Sequence, residues 1–402
     1  MALHYVTAGE SHGPQLTAIV TGLPAGLPLT EDDIARDLAR RQVGYGRGGR
    51  MAIERDRGRI CSGVRSGLTL GSPLTIVIEN RDWPNWQEVM SAAPAADDAE
   101  SKARAVTRPR PGHADLPGVL KWRQHDARNI LERASARETA ARVAAAAVAR
   151  QLLAEFGIEV FSHVISIGDA TADRSGLTWA AIREAAESSP FRVGNRAYEE
   201  AMKAAVDRAA AEGDTLGGIF EVVAAGVPVG LGSCMESAAR LDGQLAGAVM
   251  SIQAIKGVEI GLGFEAAHRP GSRVHDAIYF DREHPERYLE GHGPTGGFYR
   301  TTNDAGGLEG GIANGEPIIV RAAMKPIATL RRPLPSVDFE SKEAYQAAHE
   351  RSDVCAVPAA AVVGEAAVAF VLARAFLEKF SGDHLDDVRA AYDGYVRYLN
   401  SR

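Results

Sequence analysis

The sequence predicts an α+β protein built as a single unit, and three observations carry that expectation. Strand-like runs crowd the first eighty residues, separated by glycine-rich turns, as in antiparallel hairpins. An Ala-rich helical stretch over 135–156 follows, and helical and strand-like runs then succeed one another irregularly. Segments rich in Arg, His and Gly are spread from residue 9 to residue 355, so one site draws on the whole chain. That spread favours one domain over 1–402 rather than separable units.

Residues 16–20 alternate as a strand. Thr30 caps a helix with Ile34 and Leu38 on one face, and the Gly-rich turn at 44–50 ends it. Strand-like runs follow at 51–55, 59–64 and 73–79, with Gly63, Gly67 and Gly71-Ser72-Pro73 as turns. Residues 91–105 are low in complexity and read as a mobile loop. Ser135 and Glu138 fit a capping box at the head of the Ala-rich helix, with Gly157 as its stop. Strands are expected at 158–167 and 218–229, and helices around 197–211 and 236–250. The stretch 303–329 is Gly-rich and then apolar. Leu385, Val388, Tyr392, Tyr395, Val396 and Leu399 mark a final amphipathic helix at about 383–400.

At 402 residues the chain is long enough for a large core. A net charge of −7 gives no global basic field, so nucleic acid is not expected as a partner. Cys61, Cys234 and Cys355 are far apart and lack metal-ligand spacing, so no metal is expected and they read as reduced thiols of a cytoplasmic protein. The N-terminus has no secretory pattern. The apolar stretch from 356 to 376 is broken by Pro358, Gly364, Glu365 and Arg374, and reads as buried structure rather than a membrane span.

The cations are locally clustered instead. Arg108-Pro109-Arg110-Pro111-Gly112-His113 holds two arginines on an extended, proline-stiffened chain, which should project them in similar directions beside a histidine. Arg133 and Arg137 flank Ser135 at an expected helix N-terminus, where cations oppose the helix dipole unless an anion offsets them. Arg47 and Arg50 sit among glycines that allow close backbone approach. His12 is a candidate for proton transfer, Lys325 lies at the end of an apolar run, and Arg351 with Asp353 forms either a surface ion pair or a buried relay. Such a set suits a compact, multiply charged anion. Two motifs mislead. Gly9-Glu10-Ser11-His12-Gly13 matches a nucleophile elbow but opens a strand, and Gly44, Gly46 and Gly49 match a dinucleotide fingerprint but follow a helix.

In order and spacing, these segments resemble the chorismate synthase family. The stretches are 9–13, 46–50, 110–115, 135–139, 310–315 (Gly-Gly-Ile-Ala-Asn-Gly), 325–329 (Lys-Pro-Ile-Ala-Thr) and 351–358, within roughly 5–375. The resemblance implies a β-α-β sandwich with helices packed between antiparallel sheets, assembled as a homotetramer. It implies a lyase of the shikimate pathway that eliminates phosphate from 5-enolpyruvylshikimate 3-phosphate to give chorismate. The reaction needs reduced FMN without net redox change.

Carried over by position, the resemblance makes His12 the group that assists the leaving phosphate. It makes His113 the group that adjusts flavin protonation, and Asp353 the acid of a proton relay. Arg47, Arg50, Arg110, Ser135, Arg137 and Arg351 would meet the substrate. Arg133, Ala134, Ser135, Gln253, Ala254, Gly310, Lys325, Pro326, Ile327, Ala328, Thr329 and Arg351 would meet the flavin, and Arg41 and Arg47 NADPH as an indirect reductant. Ala134 stands where the family often has Ser, and Val354 and Ala359 depart from its more common Pro and Arg. With no added reductase segment, an external flavin reductase or other electron source is expected. The open alternatives are another phosphate-eliminating or FMN-using enzyme, and a non-catalytic flavin- or phosphate-binding protein.

Overall fold

Period-two burial in the first strands sets the frame. In the computed structural model, which describes residues 2–48, 55–94, 105–347 and 353–402, β1 (His4–Ala8), β2 (Gln15–Thr21), β3 (Arg59–Ser62) and β4 (Leu74–Glu79) form an antiparallel sheet in the order β1-β2-β4-β3. Leu16, Ala18 and Val20 alternate inward from β2, opposite Leu74, Ile76 and Ile78 from β4. Arg50, Arg351, most of the strand expected at 51–55 and most of the loop expected at 91–105 lie outside the described residues.

A second antiparallel sheet contains β5 (Glu159–Ile167), β6 (Ala170–Thr171), β7 (Gly218–Ala225), β8 (Ile255–Ile260) and β9 (Ile318–Met324), ordered β8-β9-β7-β5-β6. A small hairpin of β10 (Pro335–Val337) and β11 (Ala344–Gln346) lies apart from both.

Among the described residues the helices are α1 (Glu31–Gln42), α2 (Asp115–Trp122), α3 (Arg128–Ala134), α4 (Thr139–Ala154), α5 (Trp179–Ser188), α6 (Glu199–Glu212), α7 (Leu241–Met250), α8 (Val357–Lys379) and α9 (Leu385–Ser401). α4 packs on the first sheet, α1 packs on α4 and α8, and α8 packs between α4 and the second sheet. The expected sandwich, with helices between antiparallel sheets, is therefore what the chain adopts. Alanines at 140, 141, 144, 145, 146, 147 and 149 are all buried, and their small side chains let α8 come close. Gly364 does the same on the opposite side: a Cβ there would lie 2.5 Å from Phe220 of β7. The most apolar window of α8 is 89% buried, so it is a core helix, as its interrupted sequence indicated.

Of the two helix caps expected from the sequence, one forms as a cap of its helix. Thr30 and Asp33 form a reciprocal capping box at α1. The expected box at Ser135 does not form. Ser135 instead caps a short 3-10 turn, accepting from Arg137 N–H, while Glu138 is drawn into tertiary hydrogen bonds; α4 starts only at Thr139. β7 stops at Ala225 rather than at 229, because the chain turns at Gly226 with φ +76°.

Glu365, the one acidic residue in the middle of α8, is fully buried. It accepts from Arg40 (2.7 and 2.9 Å), Arg192 (3.0 Å), Ser162 (2.7 Å) and Arg150, and so ties α1, α4, β5 and the segment after α5 to α8. Burial alone would raise its carboxyl pKa. The guanidiniums of Arg40, Arg150 and Arg192 outweigh that and hold it at about 2. Its stabilising contribution is therefore complete above the ordinary carboxylate range and is lost as pH falls towards about 2. Glu365→Ala strands three guanidiniums and should cost about 3–5 kcal/mol in urea unfolding at neutral pH. A loss below about 1 kcal/mol, the value typical of an exposed pair, would show that the network adds little.

Candidate active site

Gly9 begins the turn from β1 to β2 with φ +107°, where a Cβ would meet the Gln15 carbonyl oxygen at 2.4 Å. This glycine serves a hairpin between antiparallel strands, so the elbow motif is not an elbow. His12 follows in the same turn. Its Nδ1 lies 2.9 Å from both carboxylate oxygens of Glu132, and its backbone N–H donates to Glu132 Oε2 at 2.8 Å. Its ring stacks on Trp86, with centroids 4.0 Å apart. Glu132 is buried near the end of α3, and Arg128 reaches it at 3.4 Å.

Arg137 lies directly behind this turn. Its Nη1 binds both oxygens of buried Asp56 (2.6 and 2.7 Å), and its Nε donates to Asn80 Oδ1 at 3.0 Å. The Asn80 amide donates in turn to the carbonyls of Glu10 and Gly13, at 3.2 and 2.7 Å. Ser135 Oγ approaches Ser11 Oγ at 3.2 Å. Arg41 completes the layer, bonded to Thr139 Oγ1 and the Ala136 carbonyl and 3.5 Å from Asp56. Burial, with Arg47 and Arg137 nearby, pushes Arg41 down to about 10 despite Asp56. At 4% exposure the Arg41 guanidinium braces the site from within.

Arg47 Nε lies 3.2 Å from Asp353 Oδ2, and Gly48 N–H donates to Asp353 Oδ1 at 2.6 Å. Both side chains are largely enclosed, at 11% and 21% exposure, whereas Arg351, the partner that the sequence suggested for Asp353, lies outside the described residues. Thr329, Thr215 and Val354 line a small cleft with Asp353.

His113 occupies a matching arrangement. Its Nδ1 lies 2.5 Å from Oδ1 of Asp115, a buried carboxylate at the head of α2 that also accepts from Arg110 N, Nε and Nη2. So short a contact to a carboxylate places the proton on Nδ1, so the nearby Arg110 Nη2 (3.1 Å) is a neighbour rather than a donor to that nitrogen. Burial works to raise the Asp115 carboxyl pKa, but His113 and Arg110 together hold it far below the usual carboxylate range. Arg108 and Arg110 do not project together as expected. Arg108 turns out over the Tyr345 ring of β11, while Arg110 turns in to Asp115, because buried carboxylate outcompetes extended-chain geometry.

A chain of hydrogen bonds joins the parts. Lys325 Nζ donates to the Gly112 carbonyl (3.0 Å), and Lys325 N–H donates to the Ala254 carbonyl (2.9 Å). Gln253 Nε2 donates to Glu138 Oε2 (3.2 Å), next to Arg137. Glu138 also accepts from Thr7 and Arg142, and Arg133 reaches the Thr7 and Gly9 carbonyls. Ala254 has φ +67°, so the backbone here is held against its preference. Ala134 ends α3 beside this group, and Pro326, Ile327 and Ala328 continue from Lys325, with the Ile327 carbonyl taken by Thr215. Gly310 is set apart, at the tip of the 308–313 hairpin against Cys234.

Sequence reasoning missed Glu132, Trp86, Asn80 and Asp56. Each is an ordinary polar or aromatic residue with no local motif, and only folding brings it to the histidines and arginines. Asn80→Ala removes three hydrogen bonds to buried groups and should cost about 2–4 kcal/mol in urea unfolding. It should also speed amide hydrogen exchange across 10–13 selectively. Unchanged exchange there would mean that the turn does not depend on Asn80.

The comparisons with known proteins agree with this architecture. A family model described as chorismate synthase matches residues 3–377. Relatives named chorismate synthase include one from Geobacter sulfurreducens, 59% identical over 99% of this chain and 100% of its own length. Another, from Moorella thermoacetica, is 58% identical over 99% of each. A solved structure titled as the crystal structure of chorismate synthase superposes with a TM-score of 0.78 at 43% identity, covering 100% of this chain and 99% of its own. By family match, relatives and fold together, the chain belongs to the chorismate synthase family.

Proposed function

We propose that the site described above performs the family's reaction, with roles distributed as follows. The enzyme is a carbon–oxygen lyase (EC 4.2.3.5) of the shikimate pathway: it converts 5-enolpyruvylshikimate 3-phosphate to chorismate and phosphate. The observation that carries the residue assignment is the pair of imidazoles, His12 and His113, each held through Nδ1 by a buried carboxylate and each flanked by arginine. A substrate with three anionic groups, a phosphate and two carboxylates, suits Arg47, Arg110 and Arg137 and, outside the described residues, Arg50 and Arg351.

His12 assists departure of the phosphate from C3, and Ser11 with Ser135 lies within reach of the same turn. His113 and Asp353 handle the proton that leaves C6. Arg47 shares its charge between Asp353 and the incoming anion.

Reduced FMN fits the residues between Arg133 and Lys325. Gln253 Oε1 is buried and takes no hydrogen bond from any described residue, so it is an acceptor for a ligand N–H. Lys325, its pKa lowered by burial and by Lys256, offers a cation less firmly held than usual beside His113. When bound, reduced FMN would supply transient electron donation during the elimination. The chain's own part is to orient both molecules, neutralise charge and move protons. An external flavin reductase or another electron source keeps the flavin reduced, with NADPH acting indirectly. The enzyme works in the cytoplasm as a homotetramer.

The testing experiment is anaerobic: protein, 5-enolpyruvylshikimate 3-phosphate and chemically reduced FMN, with chorismate and phosphate followed together. Equal release of both, absent with oxidised FMN, supports the assignment; FMN binding without product would overturn it. His12→Ala and His113→Ala should keep FMN binding and lose about 10²–10⁴-fold in turnover. Near-normal rates in both would remove their roles. Gln253→Met should weaken FMN binding, read by flavin fluorescence, by about five- to tenfold, equivalent to one hydrogen bond; unaltered affinity would exclude Oε1 as a flavin acceptor.

A further inference from the structure

We infer that Glu132 is a positioning residue for catalysis: it fixes the tautomer and ring plane of His12, so that Nε2 is the nitrogen that exchanges a proton at the leaving phosphate. The inference rests on the role proposed for His12 above, and it concerns a residue that no motif or resemblance singled out.

The geometry makes Glu132 more than a salt-bridge partner. One carboxylate meets two groups of the same residue: the His12 backbone N–H at 2.8 Å and ring Nδ1 at 2.9 Å. Anchoring both sets the side chain's dihedral as well as its distance. The Ser11 N–H donates to the Glu132 backbone carbonyl at 3.1 Å, so the turn and the end of α3 are held together at a second level. Trp86 closes one face of the ring, and Arg128, whose guanidinium lies over the same Trp86 ring, sits 3.4 Å from Glu132 Oε1. The carboxylate side chain is 1% exposed, so no water competes for these contacts.

An ionised carboxylate accepts hydrogen bonds and donates none, so the proton on a neutral His12 must reside on Nδ1. Nε2 is then the basic atom, or the second N–H of the imidazolium that gives its proton to the departing phosphate oxygen. Arg128 works in the same direction, because its charge keeps Glu132 ionised. His113 and Asp115 repeat the motif from α2, which packs on α3 through Gly118 and Ile130. The α2–α3 pair thus carries a carboxylate partner for each histidine, Asp115 in the first turn of α2 and Glu132 in the last turn of α3.

Glu132→Gln tests this at nearly constant shape. The amide has one acceptor and one donor where the carboxylate has two acceptors. With its oxygen on the His12 backbone N–H, its NH2 faces Nδ1 and inverts the tautomer. Magic-angle-spinning NMR of sedimented protein labelled with 15N-histidine reads this directly, with the His12 signals assigned by difference from His12→Gln. Wild type should show His12 protonated on Nδ1, and Glu132→Gln on Nε2. In the anaerobic assay, Glu132→Gln should lose about 10²–10⁴-fold in kcat, the scale of a general acid–base contribution. KM should stay within about threefold, since no substrate contact is removed. Glu132→Asp, which keeps the charge at a shorter reach, should recover part of kcat and the wild-type tautomer. An unchanged tautomer in Glu132→Gln, or kcat within threefold of wild type, would overturn the inference. The NMR readout needs no turnover. A wild type inactive on the substrate therefore counts against the proposed function, and an unmoved tautomer counts against Glu132 alone.

Discussion

The Arg137–Asp56 ion pair is the constraint on which the site depends. Both side chains are buried, and neither charge would be tolerated there alone. Arg137 stands just before α4, in the helical layer, and its second contact is Asn80 at the end of β4. Asn80 holds the carbonyls of the His12 turn, and Arg41 presses on the same carboxylate from α1. Helix layer, first sheet and reactive turn are therefore fixed by one arginine. Moving Arg137 would shift the platform under His12 as well as its charge.

Around that joint, positive and negative groups are unevenly exposed. The carboxylates that hold the cations are sealed: Asp56, Asp115, Glu132 and Glu138 are all buried. Several of the cations they hold keep some exposure, including Arg47, Arg110 and Arg133. The pairs thus set the direction of each guanidinium from behind while leaving a positive face forward. That asymmetry pre-organises an anion site without leaving the charges uncompensated before the anion arrives. It also explains how a chain with net charge −7 can carry so cationic a centre.

The same principle operates away from the chemistry. Glu365 gathers Arg40, Arg150 and Arg192 in the core, and Glu221 binds His163 and Arg321 on the second sheet. Most buried acids of this protein are hubs with more than one cationic partner. Positional specificity is what such hubs supply, since replacing a whole buried network by apolar groups often costs little stability, whereas breaking one costs much.

The sequence by itself determined the elements whose signals are local: the capped α1, the alternating β2 and β4, the Ala-rich α4, the buried apolar α8 and the amphipathic α9. It also marked the histidines and arginines, because Gly and Pro around cations leave a readable trace. Tertiary structure alone decided which carboxylate each cation meets. Asp115 is two residues from His113, whereas Glu132 is 120 residues from His12, and Asp56 is 81 from Arg137. It also sent Arg108 and Arg110 apart, dissolved the capping box at Ser135 and enclosed Arg41. The physical reason is the same in each case. Local geometry sets preferences of about 1 kcal/mol, while a buried charge left without its partner costs several, so partners distant in sequence settle the final positions.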